Sequence, residues 1–200
     1  MRRQLGSMFL LGAAMGMAAT ASLAAQNATA HAVTASRYPI ELAVTYDAMR
    51  SNETASSSFW MQGGSVELEG QFYRGLGLVA DIAGMHTASI NSTGVGLDMV
   101  TATFGLRYTW QPAHRRYALF GQSLVGVANG FNSVFPAVIG ATSVANSAAL
   151  KMGGGMNVAL SPRIALRAFD AEWVRTQLPN AGSNVQNNLS LGAGIVVRFR

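Results

Sequence analysis

The chain ends in "NNLSLGAGIVVRFR" (187–200), and this alternation constrains the fold more than any other feature. From Leu189 the odd positions carry Leu189, Leu191, Ala193, Ile195, Val197 and Phe199; the even ones carry Ser190, Gly192, Gly194, Val196 and Arg198. A period of two belongs to an extended strand with a different solvent on each face. One face requires hydrocarbon, and the other accepts a guanidinium among small residues.

The same period recurs upstream. "IELAVTYDA" sets Ile40, Leu42, Val44, Tyr46 and Ala48 against Glu41, Thr45 and Asp47. "FWMQGGSVELEG" sets Trp60, Val66 and Leu68 against Gly63, Ser65, Glu67 and Glu69. "RGLGLVADIAG" opposes Leu76, Leu78, Ala80 and Ile82 to Gly75, Gly77, Asp81 and Ala83. "MVTATFGLRYTW" opposes Val100, Phe104, Leu106, Tyr108 and Trp110 to Thr101, Thr103, Gly105 and Arg107. In "YALFGQSLVGVA" the pattern is least clean, because Phe120 and Leu124 share parity with Gln122; Tyr117, Leu119, Val125 and Val127 are assigned to the apolar face. "LKMGGGMNVAL" sets Leu150, Met152, Met156, Val158 and Leu160 against Lys151, Gly153, Gly155 and Asn157. The seventh segment, 163–175, changes parity: Arg163 and Arg167 are odd, Asp170 and Glu172 even. A β-bulge between Arg167 and Asp170 would bring all four to one face, whereas acids facing lipid would cost some kcal/mol each.

Connections after the second, fourth and sixth segments are short ("QFYR", "QPAHRR", "SPR"). Those after the first, third, fifth and seventh are longer: "MRSNETASSS", "HTASINSTGVG", "NGFNSVFPAVIGATSVANS" and "RTQLPNAGSNVQ". Eight strands with tight turns on one side and loops on the other describe an antiparallel up-and-down barrel. About ten residues per tilted strand suffice to cross a bilayer.

Composition decides which face is outside. Hydrophobic residues make up 50% of the chain and charged residues 12%, against about a quarter charged in ordinary soluble domains. No apolar run of ~20 residues occurs in the body of the chain, so a spanning helix is excluded there and a closed barrel is the remaining membrane solution. The charged residues stand singly among Gly, Ala, Ser and Thr, as a narrow lumen requires and a wetted exterior does not. The expected lumen network comprises Glu41, Glu67, Glu69, Asp81, Arg107, Lys151, Arg163, Arg167, Glu172 and Arg198. Ordered by height, Glu41, Glu67, Glu69, Arg107, Arg163, Arg167 and Arg198 fall toward the tight turns and balance within one charge. Asp47, Asp81, Lys151, Asp170 and Glu172 fall toward the loops, four acids against one base, as in a hydrated vestibule. Glu41 is expected to meet Arg198 where the last strand closes on the first. Tyr46, Trp60, Tyr108, Trp110, Tyr117 and Trp173 are the expected interfacial aromatic girdles.

Residues 1–25 open with Arg2 and Arg3, continue apolar, and reach small residues at Ser22–Ala24. That layout reads as a Sec-type secretory signal, with residues 26–37 as a disordered spacer and the barrel over 38–200. Removing two arginines takes the formal charge from +5 to +3. The 14 basic residues are spread over every segment, so no nucleic-acid partner is expected. Cysteine is absent, and the 3 histidines (His31, His86, His114) lie in different regions, so no metal site and no cofactor are expected. No nucleophile-elbow or phosphate-loop signature occurs. His86 with Ser89 and Asp98 is the one arrangement that a lipid-modifying enzyme could use.

Together with "LGLVADIAG", "TFGLRYTW" and "GGGMNVALSPRIALR", the ending "GAGIVVRF" resembles the OmpA-like eight-stranded outer-membrane β-barrel family over residues 38–200. The resemblance implies an outer-membrane location with both termini periplasmic, contact with membrane lipid and lipopolysaccharide, a monomer, and four external loops. It also implies recognition of the last strand by the barrel-assembly machinery, through Gly194, Val197 and Phe199. Arg200 after the aromatic departs from the family's ending, and no peptidoglycan-binding domain is expected after the barrel. The expected role is non-enzymatic: envelope structure or surface interaction, with a narrow porin-like channel, a soluble ligand-binding barrel and a lipid-modifying enzyme as alternatives.

Overall fold

In the computed structural model the alternating segments form one closed antiparallel sheet. The structure describes residues 40–199 except Ala55, Ser56, Ser92, Ala181 and Ser183. The expected signal (1–25), the spacer (26–37) and Arg200 lie outside the described residues. The strands are β1 (Ile40–Thr54), β2 (Ser57–Tyr73), β3 (Leu76–Thr87), β4 (Leu97–Trp110), β5 (Tyr117–Phe131), β6 (Phe135–Pro136), β7 (Ala141–Thr142), β8 (Ala145–Ala159), β9 (Ile164–Thr176) and β10 (Gln186–Phe199). Eight of them close in the order β1-β10-β9-β8-β5-β4-β3-β2, and β6 pairs with β7 as a separate ribbon. Closure leaves no free edge in the barrel. Among the described residues no helix is long and apolar enough to cross a membrane.

The closing pair runs in continuous register from Ile40 opposite Phe199 to Arg50 opposite Leu189. Neighbouring strands are joined at one end by tight turns, the shortest being Arg74–Gly75 between β2 and β3. Both turn residues have positive φ, 37° and 88°, the conformation that matches the twist of the strands a two-residue hairpin joins. We call this the turn end and the opposite one the loop end.

The alternation separates the two faces as the sequence suggests. Ile195 is 55% exposed and Phe104 64%, whereas Arg107 is 1% exposed and Glu67 4%. The outward positions of β4 are apolar from Val100 to Trp110. Ten steps at ~3.3 Å, tilted by ~40°, raise this band by about 25 Å, the height of a barrel's lipid-facing belt. Above it stand outward polar residues: Arg50 on β1, His86 on β3, Asp98 on β4, Asn146 on β8 and Arg175 on β9. At the turn end Tyr108, Trp110 and Tyr117 ring the exterior with Phe72, Tyr73 and Phe199; Tyr46, Trp60 and Trp173 stand toward the loop end.

Three sequence expectations are corrected. The first connection is not a ten-residue loop, because β1 continues to Thr54 and β2 starts at Ser57, opposite it. The polar residues there extend the ladder: the Arg50 guanidinium donates to Ser58 Oγ, and Asn187 N donates to Asn52 Oδ1 at 2.7 Å. As a result Tyr46 lies well inside its strand rather than near its end. Finally, the long fifth connection carries the β6–β7 ribbon and is shortened by extension of β5 and β8.

The parity change in β9 is a bulge. Asp170 faces Gly192 and Arg167 faces Gly194, so two residues, Ala168 and Phe169, stand against Ala193 alone. Both charged side chains therefore point inward. Phe120, Gln122 and Leu124 on β5 all point inward as well, which resolves the segment whose pattern was least clean.

Candidate functional site

Among the described residues charge is concentrated in the lumen, and its turn-end half is filled by a continuous network. Arg107 on β4 is its centre. Its guanidinium pairs with Glu67, reaches Glu69 Oε2 at 3.1 Å and donates to Gln122 Oε1 through Nε at 2.9 Å. Arg167 on β9 donates to Glu67 Oε1 at 2.7 Å and to Asp170 Oδ2 at 3.0 Å. Both guanidiniums lie over the ring of Phe120, Arg107 4.2 Å and Arg167 4.7 Å from its centroid, so both cations also meet a π system. Lys151 on β8 holds Asp81 at 2.7 Å and Glu172 at 2.9 Å.

Gln122 joins the two groups. Its amide nitrogen donates to Glu67 Oε2 at 3.2 Å and to Glu172 Oε1 at 2.6 Å. The charges therefore do not separate into a balanced lower cluster and a hydrated upper vestibule. Asp170 and Glu172 belong to the same buried body as Glu67 and Arg107. Seven inward acids (Glu41, Asp47, Glu67, Glu69, Asp81, Asp170, Glu172) face four inward bases (Arg107, Lys151, Arg167, Arg198) among the described residues. Neutral groups make up part of the difference, such as the Thr45 hydroxyl to Asp47 at 3.2 Å and that of Thr103 to Asp81 at 3.2 Å. Unpaired buried charge is costly, so recruiting these donors is what the surplus of acids demands.

Glu41 accepts from Arg198 Nε at 2.9 Å across the β1–β10 seam. Arg163 is placed elsewhere: it is exposed in the turn before β9. Ser161 Oγ caps that turn, accepting from Ile164 N at 3.0 Å, and the Arg163 carbonyl accepts from Arg198 N at 2.8 Å. The strand begins one residue later than the parity argument assumed, which leaves Arg163 in solvent.

Toward the loops the lumen turns apolar. Met49, Met61, Met85 and Met99 point inward from β1, β2, β3 and β4 and pack with Ala128, Ala149 and Val174. Between this methionine collar and the Lys151–Glu172 pair lies a void of only about 20 Å³, the space of about one water. Among the described residues, no group of three or more potential ligands could hold a metal ion. The arrangement can seal the barrel and fix its shape; it presents no activated nucleophile.

Gln122, Phe120 and the collar were not among the site residues expected from the sequence. Their signal was present: Phe120 shares the parity of Gln122 on β5, and Met49, Met61, Met85 and Met99 share the parity of Glu41, Glu67, Asp81 and Arg107 on their strands. At the loop end His86 Nδ1 pairs with Asp98 Oδ1, while Asp98 Oδ2 accepts from Asn132 Nδ2. Ser89 Oγ instead accepts from Gly94 N at 3.0 Å, so the serine is not delivered to His86 and the catalytic arrangement is not assembled. The expected assembly residues lie along the seam: Gly194 opposite Thr45, Val197 opposite Leu42 and Phe199 opposite Ile40.

No protein-family model matches the sequence, and no curated protein does. Solved structures do match. The neisserial surface protein A superposes with a TM-score of 0.62 at 13% identity, over 80% of this chain and 97% of that one. Ail, the attachment invasion locus protein of Yersinia pestis, superposes with a TM-score of 0.53 at 16% identity, over 78% and 97%. Its complex with the heparin analogue sucrose octasulfate gives 0.52 at 17% identity over the same shares. At such identities the shared property is the fold, a closed eight-stranded antiparallel barrel.

Proposed function

We propose that this chain is a small, non-enzymatic outer-membrane barrel that acts as a monomer, through its shape and its loops rather than by passing solutes. The observation that carries this reading is the sealed lumen: side chains from β2, β3, β4, β5, β8 and β9 meet in one hydrogen-bonded body across the barrel. A channel needs a continuous wet path, and eight strands enclose packed side chains or at most one small ligand. The outward apolar belt supports residence in a bilayer and opposes a soluble barrel. Under this reading the turn end and both termini face the periplasm, residues 1–25 direct Sec-type export, and the loops face outward beside lipopolysaccharide. Gly194, Val197 and Phe199 present the last strand to the barrel-assembly machinery. Ail, of the same fold, is named for attachment and invasion; contact through loops is the corresponding role here.

Two measurements test the proposal. In planar bilayers the purified barrel is expected to give no steady conductance, and reproducible ohmic steps would refute the sealed lumen. On gels the unheated protein is expected to migrate differently from the boiled one; identical bands would refute the membrane barrel.

A further inference from the structure

Above the methionine collar the lumen is not full. A cavity of about 190 Å³ opens there beneath the β6–β7 ribbon. Its wall is Phe59, Ile90, Leu97, Met99, Phe135 and Leu178, all buried and drawn from β2, β4, β6 and the loops after β3 and β9. Among the described residues no charged side chain lines it. The polar groups at its rim are turned toward one another. Ser51 Oγ donates to Asn188 Oδ1 at 2.9 Å, and Gln186 accepts from Thr176 Oγ1 at 3.1 Å while donating to the Leu178 carbonyl at 2.8 Å.

We propose that this cavity is a binding site for a small, uncharged, largely apolar molecule of about one ring. Size is the first argument: an engineered cavity of about 150 Å³ lined by Leu, Ile and Phe stays dry and takes up benzene. Chemistry is the second. Water in the cavity would find few donors and acceptors not already engaged, and a charged ligand would find no counter-charge. Barrel size is the third, because eight strands hold packed side chains or one small ligand. The strand residues of the wall lie on the inward parity, so the site opens to the medium at the loop end rather than to lipid. Val134, 63% exposed in the ribbon loop, stands at this mouth. The collar and the ion-pair network close the floor, so the molecule is held and not transmitted.

The test uses the whole barrel in phospholipid nanodiscs with ¹³C-methyl-labelled methionines. Met99 lines the cavity, while Met152 on the outer face of β8 is 46% exposed and reports partitioning into lipid. Titration with p-cresol is expected to shift the Met99 methyl to saturation while Met152 drifts linearly. The charged isostere 4-methylbenzoate should leave Met99 without a saturable shift. Val134→Trp, which plugs the mouth from an exposed position, should weaken the p-cresol response at least tenfold while keeping the wild-type gel shift on heating. Met99 tracking Met152 linearly in the wild type would overturn the site without touching the sealed-barrel reading. So would 4-methylbenzoate saturating Met99 as p-cresol does, or Val134→Trp titrating like the wild type.

Discussion

Replacing Arg107 by methionine separates a structural network from a decorative one. Methionine keeps an unbranched stem beside Phe120 but removes the charge. Glu67 retains Arg167 at 2.7 Å. Glu69 loses Arg107, the cation 3.1 Å from its Oε2, and its Oε1 has no partner at all. Removing one member of a buried pair leaves uncompensated charge, so the expected loss is about 3–5 kcal/mol. Glu69→Gln alone spares the bonds of Arg107 to Glu67 and Gln122; it should lose about 1.5–3 kcal/mol, the worth of a hydrogen bond to a charged group. In the double variant the neutral amide no longer needs a cation, so the combined loss should fall short of the sum by about 0.5–3 kcal/mol. The assay is equilibrium urea unfolding in phospholipid vesicles, followed by the fluorescence of Trp60, Trp110 and Trp173. A loss below about 1 kcal/mol for Arg107→Met, the range of an exposed pair, would refute the reasoning. Additivity of the two changes within about 0.5 kcal/mol would refute it as well.

Ile195→Arg places a charge on the exposed outer face opposite Val44 and Leu166; in the same vesicle assay it should cost about 2–4 kcal/mol near mid-depth, and a neutral effect would refute the lipid-facing assignment. A Cβ on Gly155 would lie 2.8 Å from Phe120 Cζ and 2.2 Å from the Phe169 carbonyl oxygen; Gly155→Ala should therefore lose about 1–3 kcal/mol by overpacking, and an unchanged unfolding midpoint would refute the tight stack. Asp98 stands above the apolar belt, where the hydrogen bonds from Asn132 first and His86 second hold its carboxyl below its ordinary 3.8. A depressed value means that the contact contributes above the unfolded value and is lost as pH falls through the folded one. The Asn132 side-chain amide should accordingly titrate by NMR with a midpoint below 3.8, and a midpoint at or above that value would refute the contact.

Parity carried most of the fold. Each inward residue from Glu41 to Arg198 follows from counting by two, and the bulge at Ala168 follows from the charges that counting would otherwise misplace. Height along the barrel was less legible, because it depends on the stagger between strands that closure imposes. Asp170 sits beside Arg167 rather than in an upper group, and the Glu67–Arg167 pair joins residues 100 positions apart. Strand ends were hidden for a related reason. Arg50, Asn52 and Ser58 are polar enough for a loop, yet outside lipid a polar ladder continues a strand equally well. Arg163 shows the reverse error, a charge of the right parity one residue beyond the rim.

The inward faces also explain why sealing and closure are one event. β1, β2 and β3 present Glu41, Asp47, Glu67, Glu69 and Asp81 inward without an inward base, whereas the inward bases come from β4, β8, β9 and β10. An open sheet would hold the acids of its first three strands far from most of their partners, so neutralisation requires the sheet to curl and β10 to meet β1. In each of the first four strands the inward face then changes from charged or hydroxyl side chains to methionine toward the loops: Met49, Met61, Met85 and Met99. That change falls where the supply of inward bases ends, since Lys151 is already engaged by Asp81 and Glu172. With no cation left to pair, an acid in the upper lumen would be unsupported, and an apolar lining is the solution that needs none. The neutral cavity at the mouth is therefore a consequence of how the ionic seal below it uses its cations.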